Sequence, residues 1–186
     1  MTSVQRPREI IDRGDLTLRR WRADRDFEPL SRVIGESLDH LRPWLPWVAH
    51  HSAATTRAFL AGCDPKWRAG EAYNYAIVAD GELVGSCSMY RSGGDTRGMF
   101  MGYWLHPAAT GRGLATRAAE AMAAEAFTLP GVEYLEIVHD LANTASGAVP
   151  RRLGFTEVGR ERAIPPGAPS DSGVDVVWRL TRDAGS

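Results

Sequence analysis

Between residues 98 and 140 the chain passes through an aromatic-rich stretch, MFMGYWL, then a turn holding two glycines, then the alanine-rich run LATRAAEAMAAEAF, then a second apolar stretch, VEYLEIVHD. No other segment limits the fold so strongly. The first stretch reads as a strand that stops at His106-Pro107, because proline donates nothing to a ladder. From Gly113 onward, Leu114, Ala118, Met122 and Ala126 share one face at four-residue spacing while Arg117 and Glu120 lie elsewhere, which predicts an amphipathic helix closed by Pro130-Gly131. A strand, a helix and a strand in succession place the two strands parallel, joined by a right-handed crossover. Ligands of such sheets bind at the carboxyl ends of the strands.

The flanking sequence supplies the rest of a mixed α/β fold. DLTLRRW alternates Leu16 and Leu18 with polar neighbours and predicts the first strand, after a short flexible tail over about residues 1–14. Residues 23–41 predict a helix, with Asp24 as N-cap and Phe27, Leu30, Ile34 and Leu38 at helical spacing, broken by Pro43 and Pro46. A second helix is expected from Ala53 or Thr55 to Ala69. YNYAIVA, Asp80-Gly81 and ELVGSCSMYR predict a strand, a tight turn and a strand, and SGGDTRG a further turn. Beyond the second parallel strand come a short helix over residues 144–153, a strand from about Phe155, the loop IPPGAPSDSG and a closing strand VDVVWRL. With no repeat and no linker, the 186 residues read as one domain.

Charge narrows the choice of partners. A net charge of -1 provides no general basic field for nucleic acid or an anionic membrane, so a polyanionic ligand needs a local device. No apolar run is long enough to span a bilayer, and MTSVQRPREI lacks the core of a signal peptide, so a cytoplasmic protein is expected. Cys63 and Cys87 have neither metal spacing nor a disulfide-rich context, and free thiols are expected. His50-His51 are two adjacent histidines without further ligands, so no metal is expected.

The local device is the glycine pair. A helix start exposes unpaired N–H groups and the positive end of the helix dipole, and so attracts anions. Gly111 and Gly113 let the backbone curl round a phosphate, to which Arg112 or Arg117 would add charge. A Rossmann site would require glycine where Thr116 stands, and a nucleoside-triphosphate loop would require Gly-Lys-Ser/Thr. A glycine-rich helix start with no ligand remains an alternative at this point.

Taken with its surroundings, TGRGLA resembles motif A of the GNAT acyltransferases, Q/R-x-x-G-x-G/A, with Thr110 in place of the usual Gln or Arg and with Gly113 and Ala115 matching. LTLRRW, LRPWLPW, ELVGS, GYWLHPAATGRGLAT and HDLANTASGAVPRRLGF are similar, in order, to the RimJ/RimL-like branch that acetylates protein N-termini. The resemblance implies the GNAT acyl-CoA N-acyltransferase fold, a mixed central sheet flanked by helices, and acetyl-coenzyme A as cofactor. By the same resemblance, main chain around Leu105 pairs with the pantetheine arm, the amides of Thr110, Gly111, Arg112, Gly113, Leu114, Ala115 and Thr116 hold the pyrophosphate, and Asn143 bonds the pantetheine region. Trp44 and Trp47 lie in the segment that walls the acceptor site in that branch; packing of the loop on the core is their other reading. A homodimer is a further implication.

Acetyl transfer from a thioester requires a neutral amine, a stabilised oxyanion and a proton for the departing thiolate. Many members of the family supply that proton from a tyrosine whose place here is Pro150, which has nothing to donate. Ser146, matching the serine of N-x-x-S, is the candidate acid, or else a small residue that makes room beside Gly147. Glu136 and His139 are the candidate bases; their odd spacing puts them on opposite faces of a regular strand, and a water chain is the alternative. The expected acceptor is the N-terminal α-amine of a protein, with ribosomal proteins as candidates. An acidic pocket would instead favour a small amine such as an aminoglycoside or polyamine, and a non-catalytic coenzyme A-binding module is the reading outside the enzyme class.

Overall fold

The computed structural model describes residues 5–91 and 94–182; Ser92 and Gly93 of the SGGDTRG turn lie outside them, as do residues 1–4 of the expected tail. Among the described residues, eight strands form one sheet: β1 (Ile10–Arg13), β2 (Leu16–Arg20), β3 (Ala72–Ala79), β4 (Glu82–Tyr90), β5 (Gly98–Leu105), β6 (Tyr134–Asp140), β7 (Thr156–Arg162) and β8 (Val174–Thr181). Their order across the sheet is β1-β2-β3-β4-β5-β6-β8-β7. Only β5 and β6 pair in parallel. Four α-helices pack on this sheet, α1 (Phe27–Leu41), α2 (Ala53–Ala69), α3 (Leu114–Ala126) and α4 (Thr144–Arg152).

The expected order of elements holds, with three corrections. Residues 10–13, read as part of a flexible tail, are strand β1, with Ile11 fully buried and opposite Leu18. Just before it, the backbone N–H of Arg8 donates to Glu125 of α3 at 3.0 Å, a contact 117 residues away in sequence that no local pattern discloses. Helix α1 starts at Phe27, not at Ala23, with Asp26 at the cap. The Asp26 carboxylate accepts from Arg19 twice at 2.8 Å and from the Arg22 N–H at 2.7 Å, so it ties the helix start to β2. Helix α3 closes at Phe127, short of Pro130.

Local chemistry explains the other boundaries. Ser52 and Thr55 form a reciprocal capping box at the start of α2, and Gly70 ends it in the left-handed region. Asp80 and Gly81 both have positive φ, as the tight β3–β4 hairpin requires. In α3, Ala118, Ala119, Met122 and Ala126 are fully buried, and the small side chains bring the helix close to the sheet. One apolar cluster lies beneath α3 and α4, including Met101, Leu114, Met122, Ile137 and Val149. A smaller one lies beneath α1 and α2, with Trp21, Leu30, Ile34 and Leu60. Among the described residues no helix is long and apolar enough to cross a membrane.

Candidate active site

The parallel pair at the centre of the sheet comes apart. Pairing of β5 with β6 runs from Gly98↔Tyr134 to Met101↔Ile137 and stops there. Beyond that point β5 stays with β4, as far as Leu105↔Gly85, and β6 stays with β8. The edge of β5 from Gly102 to Leu105 therefore turns unpaired main chain toward a cleft, where an extended ligand can pair as an added strand.

At the mouth of this cleft the chain makes a short 3-10 turn over Pro107–Ala109 and enters α3. Thr110 is spent locally, its hydroxyl donating to the Pro107 carbonyl at 2.7 Å. Gly111 and Gly113 have φ of 76° and 72°, and no side chain caps α3. Residues 110–113 are exposed while Leu114 is buried, so the bend is anchored by Leu114 and its amides face outward. The uncapped start of this 13-residue helix, with two left-handed glycines, fits a pyrophosphate. Arg112 and Arg117 are paired with Asp80 and Asp15 respectively, so the charge expected from them is shared with carboxylates.

Deeper in the cleft lies a cavity of about 340 Å³. It is walled by the loop Pro43 to Pro46, by β5 and β6 where they part, by Asn143 and Ser146 of the α4 start, and by the β7–β8 loop. Asn143 caps α4 by accepting the Ser146 N–H at 3.2 Å, which leaves its amide N–H groups to donate into the cavity. Ser146 lines the cavity, and its carbonyl accepts from the Tyr103 hydroxyl at 3.0 Å. Burial pushes the Tyr103 hydroxyl up to about 12 against the pull of that hydrogen bond, so at neutral pH it is a phenol and a donor.

The candidate bases part company. His139 lines the cavity, but its Nε2 accepts the Trp178 indole N–H at 3.0 Å; the proton therefore sits on Nδ1, which donates to the Asp140 carbonyl at 2.7 Å. Both ring nitrogens are engaged, and no lone pair is left for an amine's proton. Glu136 lies on the opposite face, as its spacing predicts, in a separate depression with Phe100 and Val158. There it accepts from Arg179 at 2.9 and 2.6 Å. The two tryptophans also separate. Trp44 lines the cavity, whereas Trp47 leans on Trp104, ring centres 6.2 Å apart, away from it.

Three carboxylates of the cavity wall escaped the sequence reading: Asp140, Asp171 and Asp175. So did Tyr103, which alternation alone puts on one face with Met101 and Leu105. Among the described residues no lysine or arginine lines the cavity. Both cysteines are buried, with burial pushing the Cys63 thiol up to about 12 and Cys87 also upward, so neither is a nucleophile for covalent transfer.

Comparison with known proteins agrees with this geometry. The family model described as Acetyltransferase (GNAT) domain matches residues 15–156. A curated relative from Bacillus subtilis (strain 168), described as putative ribosomal N-acetyltransferase YdaF, is 30% identical over 142 residues, 74% of this chain and 76% of its own. The structure of Mycobacterium smegmatis RimJ in complex with CoA-disulfide is similar at a TM-score of 0.77 and 28% identity, covering 89% of this chain and 81% of its own. A ribosomal L7/L12 alpha-N-protein acetyltransferase, RimL, in complex with coenzyme A shares the fold at a TM-score of 0.86 and 23% identity, over 95% of this chain and all of its own.

Proposed function

The chain belongs to the GNAT acetyltransferase family and is an acetyl-coenzyme A-dependent N-acetyltransferase; from that premise we propose that its acceptor is the N-terminal α-amine of a protein, ribosomal proteins first among them, in the cytoplasm. The likeness to the relative described as putative ribosomal N-acetyltransferase YdaF supports this acceptor. The observation that carries the chemistry is the splayed β5–β6 pair, which leaves an acid-lined cavity where the two strands part.

In this reading the pantetheine arm lies along the free edge of β5 near Leu105, and the amides from Thr110 to Thr116 take the pyrophosphate. Acetyl-coenzyme A supplies the activated carbonyl. The amine enters beside Trp44, and the transfer is direct. Ser146 and Tyr103 both stand at the α4 start, where a departing thiolate needs a proton; Ser146 donates it while Tyr103 holds the Ser146 carbonyl in place. An α-amine, with a pKa of about 7.7–8.0, is partly neutral already and asks less of a base than a lysine does.

The acidic cavity favours a second reading, a small polycationic amine such as a polyamine or aminoglycoside. Thiol release from acetyl-coenzyme A, measured against a panel of N-terminal peptides, polyamines and aminoglycosides with mass detection of the product, decides between them. An α-acetylated peptide supports the first reading, acetylation of small amines alone supports the second, and cofactor binding without any product refutes both in favour of a non-catalytic module.

A further inference from the structure

Strand β8 places Asp175 between two other acids. In the antiparallel ladders its direct partners are Asp140 on β6 and Glu161 on β7, so three carboxylates stand in a row across neighbouring strands. Like charges directly opposite one another destabilise a sheet. Its members are not equivalent. The Asp140 carboxylate accepts from the Ala142 N–H at 2.7 Å and from the N–H and hydroxyl of Ser172 at 2.8 and 2.9 Å. Asp171 accepts from the Gly173 N–H at 2.6 Å. Asp175 lines the same cavity, and among the described residues no hydrogen bond reaches its carboxylate. It lies beyond residue 156, outside the segment the family model matches.

We propose that Asp175 is the group that docks the acceptor's ammonium and takes its proton. The inference rests on the acetyltransferase reading of this cavity. Asp140 accepts hydrogen bonds at both oxygens, Asp171 gives Oδ1 to the Gly173 N–H, Glu136 is paired with Arg179 outside the cavity, and both nitrogens of His139 are held by Trp178 and Asp140; among the described residues Asp175 is the cavity carboxylate neither of whose oxygens accepts a hydrogen bond. Burial, then the charges of Asp171, Asp140 and Glu161, raise its carboxyl above the ordinary value, which moves a carboxylate toward a useful base. The proton passes from the ammonium to the Asp175 carboxylate and on to solvent through the cavity mouth. The freed lone pair forms the C–N bond to the acetyl carbon, the C–S bond breaks, and the second proton lost from nitrogen leaves on the thiol.

The test is Asp175→Asn in the full chain, assayed from pH 6 to 9 with the best amine of the panel above. At pH 7 the variant is expected to lose about 100-fold or more in kcat/KM for the amine, with KM for acetyl-coenzyme A unchanged. Its rate should climb with pH through the amine's own pKa, so that the gap to the parent narrows by pH 9, and Asp175→Glu should recover part of the loss. A variant within threefold of the parent throughout overturns the proposal, and so does a loss of equal size at every pH, the mark of a packing role. Should the Asn variant not fold, Asp175→Ser is read in the same way. The function is judged separately, on the parent: a parent that acetylates while Asp175→Asn is unaffected sinks only this assignment, and a parent without turnover on any amine overturns both.

Discussion

Gly113 offers the sharpest test of the cofactor site. It holds the N-cap of α3 at φ 72°, and a Cβ built there meets nothing within 4 Å. Alanine therefore adds no clash; what it adds is left-handed backbone strain, about 1–2 kcal/mol. Gly113→Glu carries the same strain and also puts a carboxylate where a pyrophosphate is to sit. At about 4 Å, two unit charges repel by about 4 kcal/mol at an effective dielectric of about 20 and by about 1 kcal/mol in bulk water. The cradle is exposed, so the expected weakening lies between those limits, roughly 5-fold to 1000-fold in Kd for coenzyme A, with less than about 10-fold for Gly113→Ala. Calorimetric titration of both variants with coenzyme A, alongside their thermal unfolding, separates charge from strain. A folded Gly113→Glu protein that binds coenzyme A within threefold of the parent refutes the assignment of the α3 start as the pyrophosphate site.

Further expectations follow from the other contacts. Ser146→Ala should lower kcat about 10-fold or more with little change in KM for acetyl-coenzyme A; steady-state kinetics showing equal turnover would leave Ser146 a spacer only. A Cβ at Gly147 would stand 2.5 Å from the His139 ring, which Trp178 and Asp140 pin, so Gly147→Ala should cost about 1–3 kcal/mol, and an unchanged melting temperature would argue against that close approach. Burial opposes charge on Glu125, but the side-chain and backbone hydrogen bonds from Arg8 outweigh it and hold its carboxyl below the ordinary value. A lowered folded value means stability present above the unfolded pKa of about 4.3 and lost as pH falls through the folded one. The melting-temperature gap between parent and Glu125→Gln should accordingly be full at pH 7 and shrink below about pH 4; a gap constant from pH 7 to pH 3 would contradict it.

The elements legible in the sequence are those whose cause is local. Four-residue spacing marked the buried face of α3, Asp80-Gly81 marked the hairpin, and Gly111 and Gly113 marked the left-handed bend that starts α3, because each depends on residues within a few positions of one another. Strand alternation likewise put Glu136 and His139 on opposite faces. What alternation could not decide was which of them, if either, keeps free lone pairs. Their partners, Arg179 and Trp178, come from β8, 43 and 39 residues away, and only the sheet order β6-β8-β7 brings them alongside. Tertiary structure alone also made β1 a strand, turned Arg112 and Arg117 onto Asp80 and Asp15, and drew Trp47 off to Trp104. The acid row of Asp140, Asp175 and Glu161 has the same origin. Each lies on its own strand and is unremarked in its own neighbourhood; register sets them opposite one another, and register is a property of the assembled sheet.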